Sequence, residues 1–468
     1  MLYHSTRGAA AVLDFDEVLL TGLARDGGLY LPAQWPGFSA ATWRGLAGAD
    51  YRELAAAMLR PYLGQSVLAA ELPELLATAY ASFAHQAVAP LVQVAPNLWL
   101  LELFHGPTLA FKDVAMQILG QFFQQVLARR GERITIVGAT SGDTGSAAIE
   151  ALRDHPAVEV FILHPKDRTS EVQRRQMTGV QAANIHNLAV EGSFDDCQDL
   201  VKALFNDQVF RDRHRLSAVN SINWARILAQ SVYYAYAALA LGGPERQVDF
   251  VVPTGNFGNV FAGYVAQRMG LPLGKLVVAA NSNDILPRFL ESGSMALGGV
   301  APTLSPSMDI QVSSNFERLL FEALGRDGAK VAETLTRFRA EGSFALEPDV
   351  LAAICARFEG GRLDDDGTLA EIKRTHEETG LLIDPHTAVG LSLARRRVAQ
   401  GAGPSVVLST AHPAKFPDAV ERATGLRPAL PQRLADLFER PERMTVVSKE
   451  EAALKALIDA RLSGASAA

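Results

Sequence analysis

Cysteine is nearly absent: the 468 residues hold two, Cys197 and Cys355. Two thiols exclude a disulfide framework, and no Cys/His cluster with metal-ligand spacing is present, so no metal is expected. Long apolar runs are also missing. The most apolar helix-like stretch, Val232 to Leu241, is too short to span a bilayer. The opening MLYHSTRG lacks the apolar core that a signal peptide needs. Charge of one sign is not concentrated anywhere. The formal net charge is -7 with acids and bases interspersed, which leaves no electrostatic footprint for nucleic acid or a membrane surface. These absences predict a soluble, reducing, cytoplasmic setting; a small-molecule substrate and a monomer or homodimer are the expected partners.

Hydrophobic residues make up 48% of the chain and charged residues 20%, the profile of a folded globular protein. The length suggests roughly three ordinary domains. The first ~95 residues are Ala/Leu-rich and read mostly as helix. From Asn97 short β-rich runs alternate with helical segments: Leu98–Leu103, Ile134–Val137, Val158–Leu163, Asn187–Val190, Val248–Val252, Leu276–Ala280 and Ser405–Leu408. That alternation predicts open, mainly parallel sheet flanked by helices, with the ligand beyond the carboxyl ends of the strands.

Six motifs could carry chemistry. In GPTLAFKDVAMQ, Lys112 sits among Ala110, Phe111 and Val114. A lysine desolvated by apolar neighbours loses proton affinity and becomes a usable amine nucleophile. Read alone, such a residue is more often a surface lysine at a helix start. In TIVGATSGDTGSAAIEAL a strand enters Thr140-Ser141-Gly142-Asp143-Thr144-Gly145 before a helix, where hydroxyls and glycine amides can form an anion site. In VDFVVPTGNFGNVFAGYVA a strand enters Gly255-Asn256-Phe257-Gly258-Asn259. Its successive N–H groups suit one monophosphate, while the spacing fits neither a P-loop nor a dinucleotide fingerprint. In VVLSTAHPAKF a buried-type strand delivers Ser409 and Thr410, hydroxyls able to bond a heterocycle nitrogen. In VNSINWARILAQ, Ser221, Asn223 and Arg226 cluster at a helix start, and Arg226 could bind a phosphate. In IDPHTAVG, Asp384 and Pro385 read as an N-cap and first turn, with His386 in reach of a site.

Together these motifs, in this order, resemble threonine synthase, within the pyridoxal-phosphate (PLP) enzymes of fold type II. The resemblance covers nearly the whole chain. It includes STRG and GLARDGGLYLP near the start, which look like the extra domain of the longer microbial and fungal branch, and GSFDDCQ from Gly192. It implies two sheet domains plus a mostly helical N-terminal domain, divided as 1–95, 96–440 (a smaller subdomain about 105–220, a larger one from the remainder) and a C-terminal helix and tail at 441–468. It implies PLP as cofactor and O-phospho-L-homoserine as substrate. Lys112 matches the Schiff-base lysine. Gly255, Asn256, Phe257, Gly258 and Asn259 match the loop that holds the cofactor phosphate, and Thr410 the hydroxyl at the pyridine nitrogen. Thr140, Ser141, Asp143 and Thr144 match the substrate-facing loop, Asp143 with its partner left open. Ser221 and Arg226 match contacts to the substrate phosphate. A sister serine/threonine dehydratase and a non-catalytic relative are the alternatives.

Overall fold

The computed structural model describes residues 1–140, 142–167 and 169–464. Ser141 therefore lies outside the described residues. Two parallel sheets form the body. The larger has six strands in the order Phe358–Arg362, Leu276–Ala280, Asp249–Pro253, Ser405–Ser409, Leu98–Glu102 and Leu91–Ala95. All neighbours are parallel except the last pair. The smaller sheet has five parallel strands: Thr445–Val447, Ile185–Val190, Val158–Pro165, Ile134–Ala139 and Leu216–Ser217.

Composition explains the placement. LVVAA at Leu276–Ala280 and SVVLS at Ser405–Ser409 are buried at every position, as strands covered on both faces must be. The covering helices follow the same logic. Trp224–Ala240 is buried along nearly its whole length and packs against Gly258–Arg268, Lys112–Arg130 and Tyr51–Leu63.

The seven expected strands all form. The first ~95 residues contain the expected helices, Phe15–Thr21, Ala40–Gly45, Tyr51–Leu63 and Leu68–Tyr80, together with a small antiparallel pair, Tyr3–Ser5 with Tyr30–Pro32. This region is fastened to the body. Thr6 Oγ1 donates to Glu317 at 2.6 Å, and Arg7 Nε and Nη2 each reach Glu317 at 3.0 Å. The next residue, fully buried Arg318, donates to the Tyr30 carbonyl at 3.1 Å, the Ile222 carbonyl at 2.6 Å and the Asn315 side chain. At the other end, Thr445–Val447 adds an edge strand to the smaller sheet, and the Glu451–Gly464 helix packs on Phe194–Asn206. No helix among the described residues is long and apolar enough to cross a membrane.

Candidate active site

The chain gathers its motifs where strands of the two sheets end. Ile134–Ala139 runs into Thr140, Asp249–Pro253 into Thr254 and Gly255, and Ser405–Ser409 into Thr410. All three turns lie beyond carboxyl ends, where open parallel sheets bind ligands.

Lys112 and Thr410 are held together by backbone. Phe111 N donates to the Thr410 carbonyl at 2.8 Å, His412 N donates to Leu109 O at 3.0 Å, and Ala110 bridges to Ala411. Lys112 thus opens its helix against the end of a central strand. Its neighbour Asp113 is buried and accepts from Thr108 N at 2.8 Å and Thr108 Oγ1 at 2.6 Å. Burial pushes the Asp113 carboxyl up to about 6 despite those bonds.

The 140–145 turn is shaped from within. Thr140 Oγ1 accepts from Gly142 N at 3.0 Å and Gly145 N at 2.9 Å, so this hydroxyl first organises its own loop. Gly142 has φ +143, and an added Cβ would lie 2.5 Å from the Gln173 side chain. Only glycine fits there. Thr144 is half-buried in the first turn of the helix Asp143–Leu152.

Asp143 gains the partner that the sequence left open. Its Oδ2 lies 3.2 Å from Lys112 Nζ, and its Oδ1 accepts from Gln173 Nε2 at 2.8 Å and lies 3.0 Å from Lys415 Nζ. Burial alone would raise the Asp143 carboxyl, but the two ammoniums hold it well below the usual carboxylate range. Burial pushes Lys112 down, and the like charges of Lys415 and Arg226 act in the same direction against Asp143.

The glycine turn is equally constrained. A Cβ on Gly255 would sit 2.5 Å from Ser307 O. Phe257 adopts φ +61, which is uncommon for a non-glycine residue, and is locked by rings of Phe316 and Phe358, each 5.5 Å away. Asn315 Nδ2 grips Asn256 O at 2.9 Å and Ser221 O at 3.2 Å, bringing the 221–226 segment to the turn. Asn256 itself is exposed, its side chain 3.3 Å from Ser314 Oγ. Tyr233 OH donates to Asn259 Oδ1 and Tyr234 OH to the Asn259 carbonyl at 2.8 Å, and the buried Asn259 Nδ2 has no acceptor among the described residues. Arg226 is buried, with Nη1 on Val219 O at 3.0 Å and Nε unpartnered. No carboxylate among the described residues forms an ion pair with it, and burial lowers its pKa to about 10.

The orphaned Asn259 Nδ2, the turn too tight for a Cβ and the helix start at Gly258 together fit a monophosphate-bearing cofactor such as PLP.

Comparison with known proteins agrees. Three family models cover the chain: "Threonine synthase N terminus" at residues 2–80, "Pyridoxal-phosphate dependent enzyme" at 84–411 and "Threonine synthase, C-terminal" at 387–458. Threonine synthase from Pseudomonas aeruginosa is 54% identical over 98% of both chains.

The chain belongs to the threonine synthase family.

The threonine synthase from Saccharomyces cerevisiae is 42% identical, over 97% of this chain and 96% of that one. The PLP-bound threonine synthase crystal structure from Brucella melitensis superposes with a TM-score of 0.95 at 55% identity, covering 98% of this chain and 99% of that chain. Threonine synthases are PLP-dependent lyases, and the two sheets here are those of that family. The models matched at both ends of the chain are threonine synthase models.

Two site residues escaped the sequence reading. Lys415 stood within the quoted HPAKF, but nothing local signals that it is fully buried beside Lys112. Asn315 lies in a serine-rich loop with no motif of its own. His386 Nδ1 pairs with Asp384 Oδ1 at 2.8 Å and its Nε2 accepts from Ser307 N at 3.3 Å, so both ring nitrogens have partners.

Proposed function

We propose that this chain converts O-phospho-L-homoserine and water into L-threonine and inorganic phosphate. The observation that carries the reading is the charge of the interior. Lys112, Lys415 and Arg226 crowd a buried site where Asp143 is held ionised between the two lysines and Asp113, raised to about 6, stands beside Lys112, so cations outnumber carboxylates. Such a surplus of buried positive charge calls for anionic ligands, and two phosphates supply it.

PLP, when bound, supplies the electron sink that lets carbons of the substrate next to its amine lose protons. The chain's residues do the rest. N–H groups of the turn 255–259 and Asn259 Nδ2 hold the cofactor phosphate, with Phe257 fixing the turn. Thr410 offers a neutral hydroxyl to the pyridine nitrogen. Lys112 carries the cofactor and, once displaced by the substrate amine, moves protons at Cα and Cβ. Asp143 receives the lysine's ammonium. Arg226 and Ser221 hold the substrate phosphate, which leaves from Cγ. The 140–145 loop, with Thr140, Ser141 and Thr144, holds the substrate's other end.

Phosphate release from O-phosphohomoserine, with threonine identified as product, tests the reading. Ammonia and a keto acid from serine or threonine, without turnover of the phosphorylated substrate, would favour a dehydratase instead.

A further inference from the structure

The turn Pro413–Lys415 brings a second lysine to the site, and the chemistry above gives it no task. Lys415 has 0% of its surface exposed. Its ammonium has three hydrogens and no acceptor capacity. All three are used: Thr108 O at 2.7 Å, Gln176 Oε1 at 2.7 Å and Asp143 Oδ1 at 3.0 Å. Gln176 is itself fixed, donating to the same Thr108 carbonyl at 3.0 Å. Lys415 is therefore a stationary cation. Lys112 meets the other oxygen of the same carboxylate, at 3.2 Å. One carboxylate bridges a stationary ammonium and a reactive one.

We propose that Lys415 is a positioning residue that keeps Asp143 ionised and in place, and thereby sets the pH at which Lys112 gives up its proton. The inference rests on the reading of Lys112 as the cofactor-bearing base.

The charges that face this pair come from four elements. They are Asp143 on Asp143–Leu152, Lys415 on its turn, Arg226 on Trp224–Ala240 and Asp113 beside Lys112. With Lys112 as its only cation, Asp143 would hold that lysine's proton tightly. Lys415 divides the attraction of the carboxylate and adds like charge, so the proton leaves Lys112 more readily. When Lys112 is engaged with the cofactor, Lys415 remains as counter-ion, so Asp143 need not protonate or swing away. Burial and the Lys415 charge both lower the Lys112 pKa, as this account requires.

The test uses the PLP-loaded enzyme. Lys415→Met keeps the chain length and removes the charge. The pH midpoint of the bound cofactor's visible band and the acid limb of kcat should both move upward. The expected shift is about one pH unit, the size that a charge within ~6 Å imposes. KM for the phosphorylated substrate should change less than kcat. A merely structural strut would lower the melting temperature and leave the midpoint where it was, and that result would overturn the proposal. Should Lys415→Met fail to fold or load, Gln176→Glu decides. A carboxylate there draws the Lys415 ammonium from Asp143, and an upward shift is expected; an unmoved midpoint overturns the proposal. Failure of the underlying reading looks different, because Lys112→Ala would then retain borohydride-reducible cofactor.

Discussion

Replacing Arg226 with methionine should separate the two phosphates. The guanidinium is buried, spends one nitrogen on Val219 O and keeps Nε free. Even with its pKa lowered to about 10 it is fully charged at neutral pH. A charge-assisted contact from it to the leaving phosphate is worth about 1.5–3 kcal/mol. Its loss predicts a roughly ten- to hundred-fold drop in kcat/KM for O-phosphohomoserine. Folding should suffer little. Val219 O loses its donor, but a buried cation without a carboxylate is removed at the same time, and the two effects oppose each other. The assay is steady-state phosphate release, beside cofactor binding followed by its visible band and a side reaction on unphosphorylated serine. The drop should be confined to the phosphorylated substrate. Equal losses on both substrates, or a weakened hold on the cofactor, would refute the assignment and place Arg226 with Tyr233 and Asn259 around the cofactor phosphate.

Lys112→Ala should remove the visible band of lysine-bound cofactor and nearly all turnover while circular dichroism stays unchanged; cofactor that borohydride still fixes covalently on another lysine would contradict this. Gly255→Val should weaken PLP binding at least ten-fold, because its Cβ would press on Ser307 O from 2.5 Å; equilibrium dialysis reads this, and an unchanged affinity would make the turn a plain connection. Asp113 titrates near 6 when folded against an ordinary 3.8, so the folded chain holds that proton more tightly. Its contribution is fully present below about pH 4 and is lost as pH rises through 6, on the order of 2–3 kcal/mol. Urea unfolding of the wild type and Asp113→Asn at pH 4 and 6.5 should show the difference between them change by that amount, and parallel curves would show that the carboxyl is not perturbed.

The strands were legible wherever burial on both faces demanded an apolar run. Leu276–Ala280 and Ser405–Ser409 are such runs, and both form as expected. Phe358–Arg362 was not legible because FEGGR is a polar edge strand with two glycines, paired on one side only. Thr445–Val447 is too short to stand out from the tail. The glycine turn left a local trace in its backbone requirements, whereas Lys112 and Thr410 stood out through the resemblance of the motifs taken together. Lys415 was not, since a lysine's burial depends on Thr108, Gln176 and Asp143, residues 239 or more positions away for the first two contacts. The Asp143 bridge is likewise a product of tertiary packing.

The order of strands in the larger sheet also governs when the enzyme can exist during its synthesis. Ser405–Ser409 lies between Asp249–Pro253 and Leu98–Glu102 and is bonded to both. Until residue 409 has left the ribosome, Leu98–Glu102, made some 300 residues earlier, and Asp249–Pro253, made some 150 earlier, have no neighbour on that side. Thr6 likewise waits for Glu317, 311 positions on. Contacts this distant in sequence carry a large loop-closure cost and form slowly. The strands from Ile134 to Val190 can pair much sooner, since each bonds a close successor. A nascent chain stalled near residue 380 should therefore show a protease-resistant core around 134–190 and cleavable segments at 91–102, whereas one released past 440 should resist throughout. The proposed cofactor site, with Thr410 beside Lys112, is among the last parts of the molecule to be assembled, and on that reading PLP present during translation has nothing complete to bind until then.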